Sequence, residues 1–419
     1  MNPNDDPLLE EELEQAAKPQ QEDDSNVKKD ITALSGKAAK ILNSPTIQND
    51  DAVGLSVIGQ EAHEQEYLEL QEENFEEYGK WHKHLEEVIY AMRLKRDALA
   101  DVVKAMGEKK AAQSTAARDV KILIIVLGGA MQGPYGAGQM CALQEMGYTS
   151  KNINELDGFL GISAGASTCA FGMAGKKQAL LGTSYFYTIC ASKAFFNYMR
   201  IHQVIDVSVI EEALRKEPTK LDVEAVRKNP ARFYVQAYNA TKGEPEFINA
   251  KDPHVDMVDA IHGSMAIPLV YNKAISINGC RYTDGAFDDP LPILRAIREF
   301  KPTHILILPN MPFNQVPLGA PSEIKNLLIK AIPHSGSFGF LRKVLSNRQA
   351  LRQSLEKIAE QNHIKIGVAW PPDMGLGSFT QNVEQIKAAI KASAKDIFYL
   401  FGEPKNNLKL YEEEYGNQT

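Results

Sequence analysis

Apolar positions fall into three regimes along the chain. Residues 1 to about 60 are dominated by acids, Gln, Asn and Pro, with too little apolar surface to offset the entropy of ordering, so they read as mostly disordered. A short helix around Ile31 to Leu42 is the one periodic stretch there. From about Glu61 to Met106 the pattern changes. Tyr78, Trp81, Leu85, Val88, Ile89, Met92, Leu99, Val102 and Met106 recur at spacings of three, four and seven, which predicts a long amphipathic helix. Glu108 to Arg118, rich in Ala, Lys, Gln and Ser, reads as a linker.

The third regime begins at Lys121 with the β-branched run Ile122 to Val126, apolar on both faces and bounded by glycines, as a buried parallel strand should be. The alternation that follows predicts a helix over Gly136 to Met146, a strand Gly158 to Gly161, a helix from Ala164, a strand Arg232 to Tyr238, and a strand around Ala274 to Ile277. A helix Leu291 to Phe300, a strand His304 to Pro309, a helix near Phe338 to Gln361, a strand Ile364 to Trp370 and a helix Val383 to Phe401 complete it. Strand and helix at this pitch imply an α/β protein with a three-layer α/β/α domain around a mainly parallel sheet. The predicted divisions are an acidic tail at 1–60, a helical extension and linker at 61–118, the α/β domain at 119–403 and a C-terminal tail at 404–419.

Charge sharpens these divisions. The net charge is -8, and residues 1–26 alone, with nine acidic side chains against one lysine, account for it. The first 88 residues carry -15 and the remainder +7, so a mildly basic body follows an acidic extension that is placed to mask it. No basic cluster dominates, which argues against a nucleic-acid partner. Cys141, Cys169, Cys190 and Cys280 are too widely spaced for a zinc site or a disulfide framework and read as buried thiols. The N-terminus lacks the basic and apolar regions of a secretory signal. The longest apolar run, Ile122 to Met131, is far below the ~20 residues of a membrane span. The expectation is a cytoplasmic or peripheral membrane protein with no cofactor and no metal.

Three short stretches carry candidate chemistry. Gly128-Gly129-Ala130-Met131-Gln132-Gly133 follows the first strand and precedes a helix, so its backbone N–H groups lie where an anion can be held; alone it is equally an ordinary tight turn. Gly161-Ile162-Ser163-Ala164-Gly165 lies between a short strand and a small-residue helix, a turn sharp enough to push a serine hydroxyl outward. Asp284-Gly285-Ala286 by itself is usually a turn.

In this order and spacing the three resemble the patatin-like phospholipase family over about residues 121 to 402, with Ser264 to Pro268 and the Asp-Pro-Leu-Pro run after Asp288 as supporting matches. The resemblance implies a lipid acyl hydrolase of the phospholipase A or lysophospholipase type. Ser163 would be the nucleophile and Asp284 the base of a Ser-Asp dyad, and an acyl-enzyme would form. N–H groups at Gly128, Gly129, Ala130 and Ala164 would make the oxyanion hole, and Gln132 and Gly133 would contact substrate. Two positions depart from the family pattern. Ala130 stands where a third glycine is expected, which suits the loop only if its φ is negative. Gln132 replaces the usual cation and so removes a charge for an anionic headgroup. The alternatives are a patatin-like scaffold with little turnover and a soluble-ester esterase or thioesterase. A Ser-His-Asp triad would need His304, His334 or His363, and Asp288 or Asp289 are the substitutes for Asp284.

The expected partners are a phospholipid or other acyl ester, a peripheral membrane surface met by the basic amphipathic face of Phe338 to Gln361, and a protein partner or activator at residues 61–118. The stretch Pro309 to Pro333 reads as a lid or a connecting loop. Glu412-Glu413-Glu414 resembles the acidic patches of type IV secretion substrates, against the simpler reading of a solvated tail.

Overall fold

The computed structural model describes residues 98–416 apart from 112–118, 151–152, 156, 198–204, 268–270, 272, 288 and 316–363. The expectations for residues 1–60, for most of the 61–106 helix, for the basic face of Phe338 to Gln361 and for most of Pro309 to Pro333 lie outside those residues.

Among the described residues eight strands form one sheet: β1 (Ile122–Val126), β2 (Gly158–Ile162), β3 (Arg232–Asn239), β4 (Glu244–Asn249), β5 (Ile275–Ile277), β6 (Cys280–Asp284), β7 (His304–Leu308) and β8 (Lys365–Val368). The order is β5-β6-β3-β2-β1-β7-β8, with β4 paired to β3. Strands β8, β7, β1, β2 and β3 are parallel, whereas β4, β5 and β6 join antiparallel. The central strand β1 is buried throughout: Ile122, Ile124 and Val126 enter one core, and Leu123 and Ile125 the other. Helices Pro134–Glu145, Ala164–Met173 and Val383–Leu400 contribute to the first core and Ile293–Phe300 to the second, which makes the three layers. Among the described residues no helix is long and apolar enough to cross a membrane.

The register of β3 positions the site. Ile162, the last residue of β2, pairs with Gln236, and Asp284, the last residue of β6, pairs with the next residue, Ala237. Two strands far apart in the chain therefore end side by side on β3, and Ser163 follows directly on the first of them.

The boundaries differ from expectation at both ends. Residues 98–111 are helical, so the first residues of the predicted linker, from Glu108 to Ala111, belong to a helix. The reason is burial: Val102, Ala105 and Met106 pack inward, and Lys109 forms a buried ion pair with Asp157, Nζ to Oδ1 at 2.5 Å. At the other end the residues set apart as a tail pack against the domain. Leu408 and Leu410 are buried, and helix Tyr411–Tyr415 presents Glu412 to Lys387 at 2.9 Å, Glu413 to Lys391 at 2.7 Å and Glu414 to Lys176 at 3.5 Å. The acidic triplet is paired because cations from two other helices face it.

Candidate active site

Ser163 stands between β2 and helix Ala164–Met173 with φ 52° and ψ -124°. A left-handed backbone at a non-glycine residue is strained by about 1–3 kcal/mol and persists only where its surroundings enforce it. Here they do. The Ser163 N–H donates to Ser264 Oγ at 2.8 Å, and the Ser264 hydroxyl donates to the Gln236 carbonyl at 2.6 Å, tying the turn to β3. On either side the chain leaves no room for side chains. A Cβ at Gly161 would lie 2.4 Å from Ala166 Cα, and one at Gly165 would lie 2.1 Å from the Val126 carbonyl oxygen.

Asp284 is 1 % exposed. Its carboxylate accepts a hydrogen bond from the Ala286 N–H at 2.8 Å, and the Ser163 side chain is near enough to favour its ionised form. Burial pushes its pKa up to about 7, and these two neutral groups only partly counter that effect. Gln236 supports the turn beyond it, Nε2 donating to the carbonyls of Gly285 at 2.9 Å and Asp289 at 2.6 Å.

The loop Gly128–Gly133 faces this pair. A Cβ at Gly128 would lie 3.0 Å from Ser163 Cβ and 3.3 Å from Ala286 Cβ, so the loop passes directly between nucleophile and acid turn. The N–H groups of Gly128, Gly129, Ala130 and Ala164 donate to no other group among the described residues, whereas those of Met131, Gln132 and Gly133 are used by Ser378, Gly129 and Ala130. Ala130 has φ 49°, not the negative value that would let an alanine sit there at ease, so the loop is held in the glycine conformation by an alanine. Gln132 is buried and its amide is spent on the Leu376 carbonyl at 2.9 Å and Gln315 Oε1 at 2.8 Å. The expected substrate contact is thus a brace to the 371–380 loop. Gly133 packs under Phe186, 2.6 Å from where its Cβ would be, and next to Ala164.

Beside Ser163 lies a small apolar cavity of about 30 Å³, walled by Met131, Phe186, Phe195, Ile205, Val207 and Met265 among others, with Ala130, Ser163 and Ala164 on its rim. Phe186 belongs to a five-residue π-helix, Phe186–Cys190, a geometry that recurs at functional sites. No periodicity signalled this cavity, since its walls come from five separate segments. No histidine joins the pair among the described residues. His304 begins β7, at the opposite end of the sheet from Ser163, and bonds Thr303 Oγ1 at 2.9 Å, while His334, His363 and Asp288 lie outside the described residues. The buried His262 bonds Tyr271 and Glu211. Nor do three His, Cys, Asp or Glu side chains converge as a metal set among those residues.

A mixed, mostly parallel sheet lies between helical layers, with a strained serine and a buried acid at adjacent strand ends. Residues 124–297 match the family model of the patatin-like phospholipases. The uncharacterized protein YjjU of Escherichia coli (strain K12) is similar, 27 % identical over 193 residues that make 45 % of this chain and 51 % of that protein. The chain thus spans about half the length of that curated relative. Among solved structures, the crystal structure of VipD from Legionella pneumophila is similar over 70 % of this chain and 69 % of that one, at 14 % identity and a TM-score of 0.35.

Proposed function

We propose that this protein is a serine acyl hydrolase that cleaves acyl esters of phospholipids or lysophospholipids through an acyl-enzyme, with Ser163 as nucleophile and Asp284 as base. The observation that carries the reading is a strained serine at the end of β2 beside a buried carboxylate that has no cation next to it among the described residues. A serine hydroxyl is a weak nucleophile until a base takes its proton. Asp284, with its pKa pushed up to about 7, is a far better proton acceptor than an exposed aspartate and is still ionised in half the molecules near neutrality.

As Ser163 Oγ attacks the ester carbonyl its proton passes to Asp284. The oxyanion lies against the unpaired N–H groups of Gly129, Ala130 and Ala164, with Gly128 close behind, and the N-terminus of helix Ala164–Met173 adds its dipole. Collapse breaks the bond to the alcohol, which leaves with the proton from Asp284. Water then repeats the sequence on the acyl-enzyme, Asp284 taking its proton, and the fatty acid departs as Ser163 recovers its hydrogen. The apolar lining beside the serine favours the acyl side of an ester over a charged headgroup.

The experiment is a fluorophosphonate label together with hydrolysis of phospholipid vesicles and of soluble acyl esters. Wild type should label and turn over. Ser163→Ala should do neither, and Asp284→Asn should lose roughly 10³-fold or more in kcat. Activity should rise with pH through about 7, as the base ionises. Labelling that survives Ser163→Ala sinks the assignment.

A further inference from the structure

We infer that Asn310 is a positioning residue for the reaction, setting the oxyanion loop by clamping both of its ends. The inference rests on the functional reading above, since it concerns the loop whose free N–H groups that reading uses.

Asn310 lies two residues beyond β7 and is 1 % exposed. Strand β7 runs beside β1 with Val126 opposite Leu308, and the Leu127 N–H donates to the Leu308 carbonyl at 3.1 Å, so Asn310 arrives where β1 ends and the loop begins. Its side-chain Nδ2 donates to the Leu127 carbonyl, the last backbone group before Gly128. Its Oδ1 accepts from the Gly136 N–H at 2.8 Å. Gly136 is the third residue of helix Pro134–Glu145, one of the N-terminal positions whose N–H has no partner inside the helix. Neither side-chain oxygen nor hydroxyl caps that helix locally. One amide therefore grips the residue before the loop and caps the helix after it, from 174 residues away.

The contact is also steric. A Cβ at Gly129 would lie 2.8 Å from Asn310 Cβ, and one at Gly136 would lie 2.4 Å from Asn310 Oδ1. The loop is thus held at its start, at its apex and at its exit by the same side chain. This explains how Ala130 can be kept at a positive φ: with both ends fixed the loop cannot relax by unwinding. An asparagine meets the requirement because it offers a donor and an acceptor on one short planar group. Ionised aspartate keeps only the acceptor, and alanine keeps neither.

The test compares Asn310→Ala and Asn310→Asp with wild type and Ser163→Ala in the full chain, using a soluble acyl ester for kcat and KM and amide hydrogen exchange for the loop. The expected result is a fall in kcat of about 100-fold for Asn310→Ala and about 10-fold for Asn310→Asp, with KM within threefold, on the scale of a displaced oxyanion donor. Exchange at residues 128–133 should accelerate in both variants while helix Ala164–Met173 stays protected. Values of kcat within twofold of wild type, with Ser163→Ala inactive, would overturn the inference and leave the functional reading standing. So would equal acceleration of exchange in loop and helix, which marks a general brace. Turnover retained by Ser163→Ala removes the functional reading, and the inference goes with it.

Discussion

Strand β2 has a buried carboxylate near each end, and the two have opposite lives. Asp157, just before the strand, receives Lys109 Nζ at 2.5 and 2.6 Å and the N–H groups of Ile122 and Asn154 at 2.9 Å each. Asp284, beside the turn that follows the strand, accepts the Ala286 N–H at 2.8 Å and has no cation next to it among the described residues. Both are almost wholly shielded from water. What separates them is the partner's charge. A cation makes the first a neutral, satisfied pair that fastens residues 98–111 to the sheet. Its lack leaves the second holding its proton unusually tightly, which suits a base. Burial alone does not mark a functional acid; burial without a counter-charge does so more sharply.

The comparison can be broken most forcefully at Asp157. Asp157→Asn leaves Lys109 buried without its anion and should cost about 3–5 kcal/mol, read as a fall in denaturation midpoint, with specific activity of the folded protein unchanged. Lys109→Met combined with Asp157→Asn, which keeps an acceptor for the Ile122 N–H, should recover most of that loss. A single variant as stable as wild type would show that the pair does not hold the helix.

The same chemical change at Asp284 should act with the opposite sign. Its carboxyl titrates near 4 in an unfolded chain and near 7 here, so the folded state binds the proton more tightly. Stability from this group is full below about pH 4, declines as pH rises through the window up to about 7, and is flat above it. Asp284→Asn removes the burden of a buried charge. It should stabilise by about 1–3 kcal/mol at pH 8 and much less at pH 5, in thermal melts at both values. Loss of stability at pH 8 would mean that Asp284 is structural, like Asp157. The smallest effect belongs to the loop. Ala130→Gly relieves a left-handed alanine but frees the unfolded chain, a net gain of about 0–1 kcal/mol in the same melts. A clear loss would show that the methyl group on the cavity rim matters more than its φ.

The central strands were legible because both faces of Ile122 to Val126 and of Ile305 to Leu308 are apolar, and the three motif stretches because their glycines lie at strand-to-helix turns. Strand β4 was not, since an edge strand reading Glu-Pro-Glu-Phe-Ile-Asn carries little apolar signal. Asn310, Lys109 and Glu412 carry no local pattern either. Each is a polar residue whose meaning comes from a partner more than 20 residues away, and periodicity reports only neighbours. Ser264 was visible as part of a matching stretch, but its hydroxyl link under the Ser163 turn required the register of β3.

The packing of the turn around Ser163 bears on how such a protein would decay. Gly161 and Gly165 are fixed by backbone atoms on their flanks, so drift cannot replace them without losing the fold, whether or not the protein still catalyses anything. Ser163 and Asp284 have no such protection, since one is strained and the other destabilising near neutral pH. In a lineage released from selection for turnover they would be the first to go, and the glycines would outlast them. The motif's frame is a fossil of the fold, and the two side chains it displays are the record of continued use.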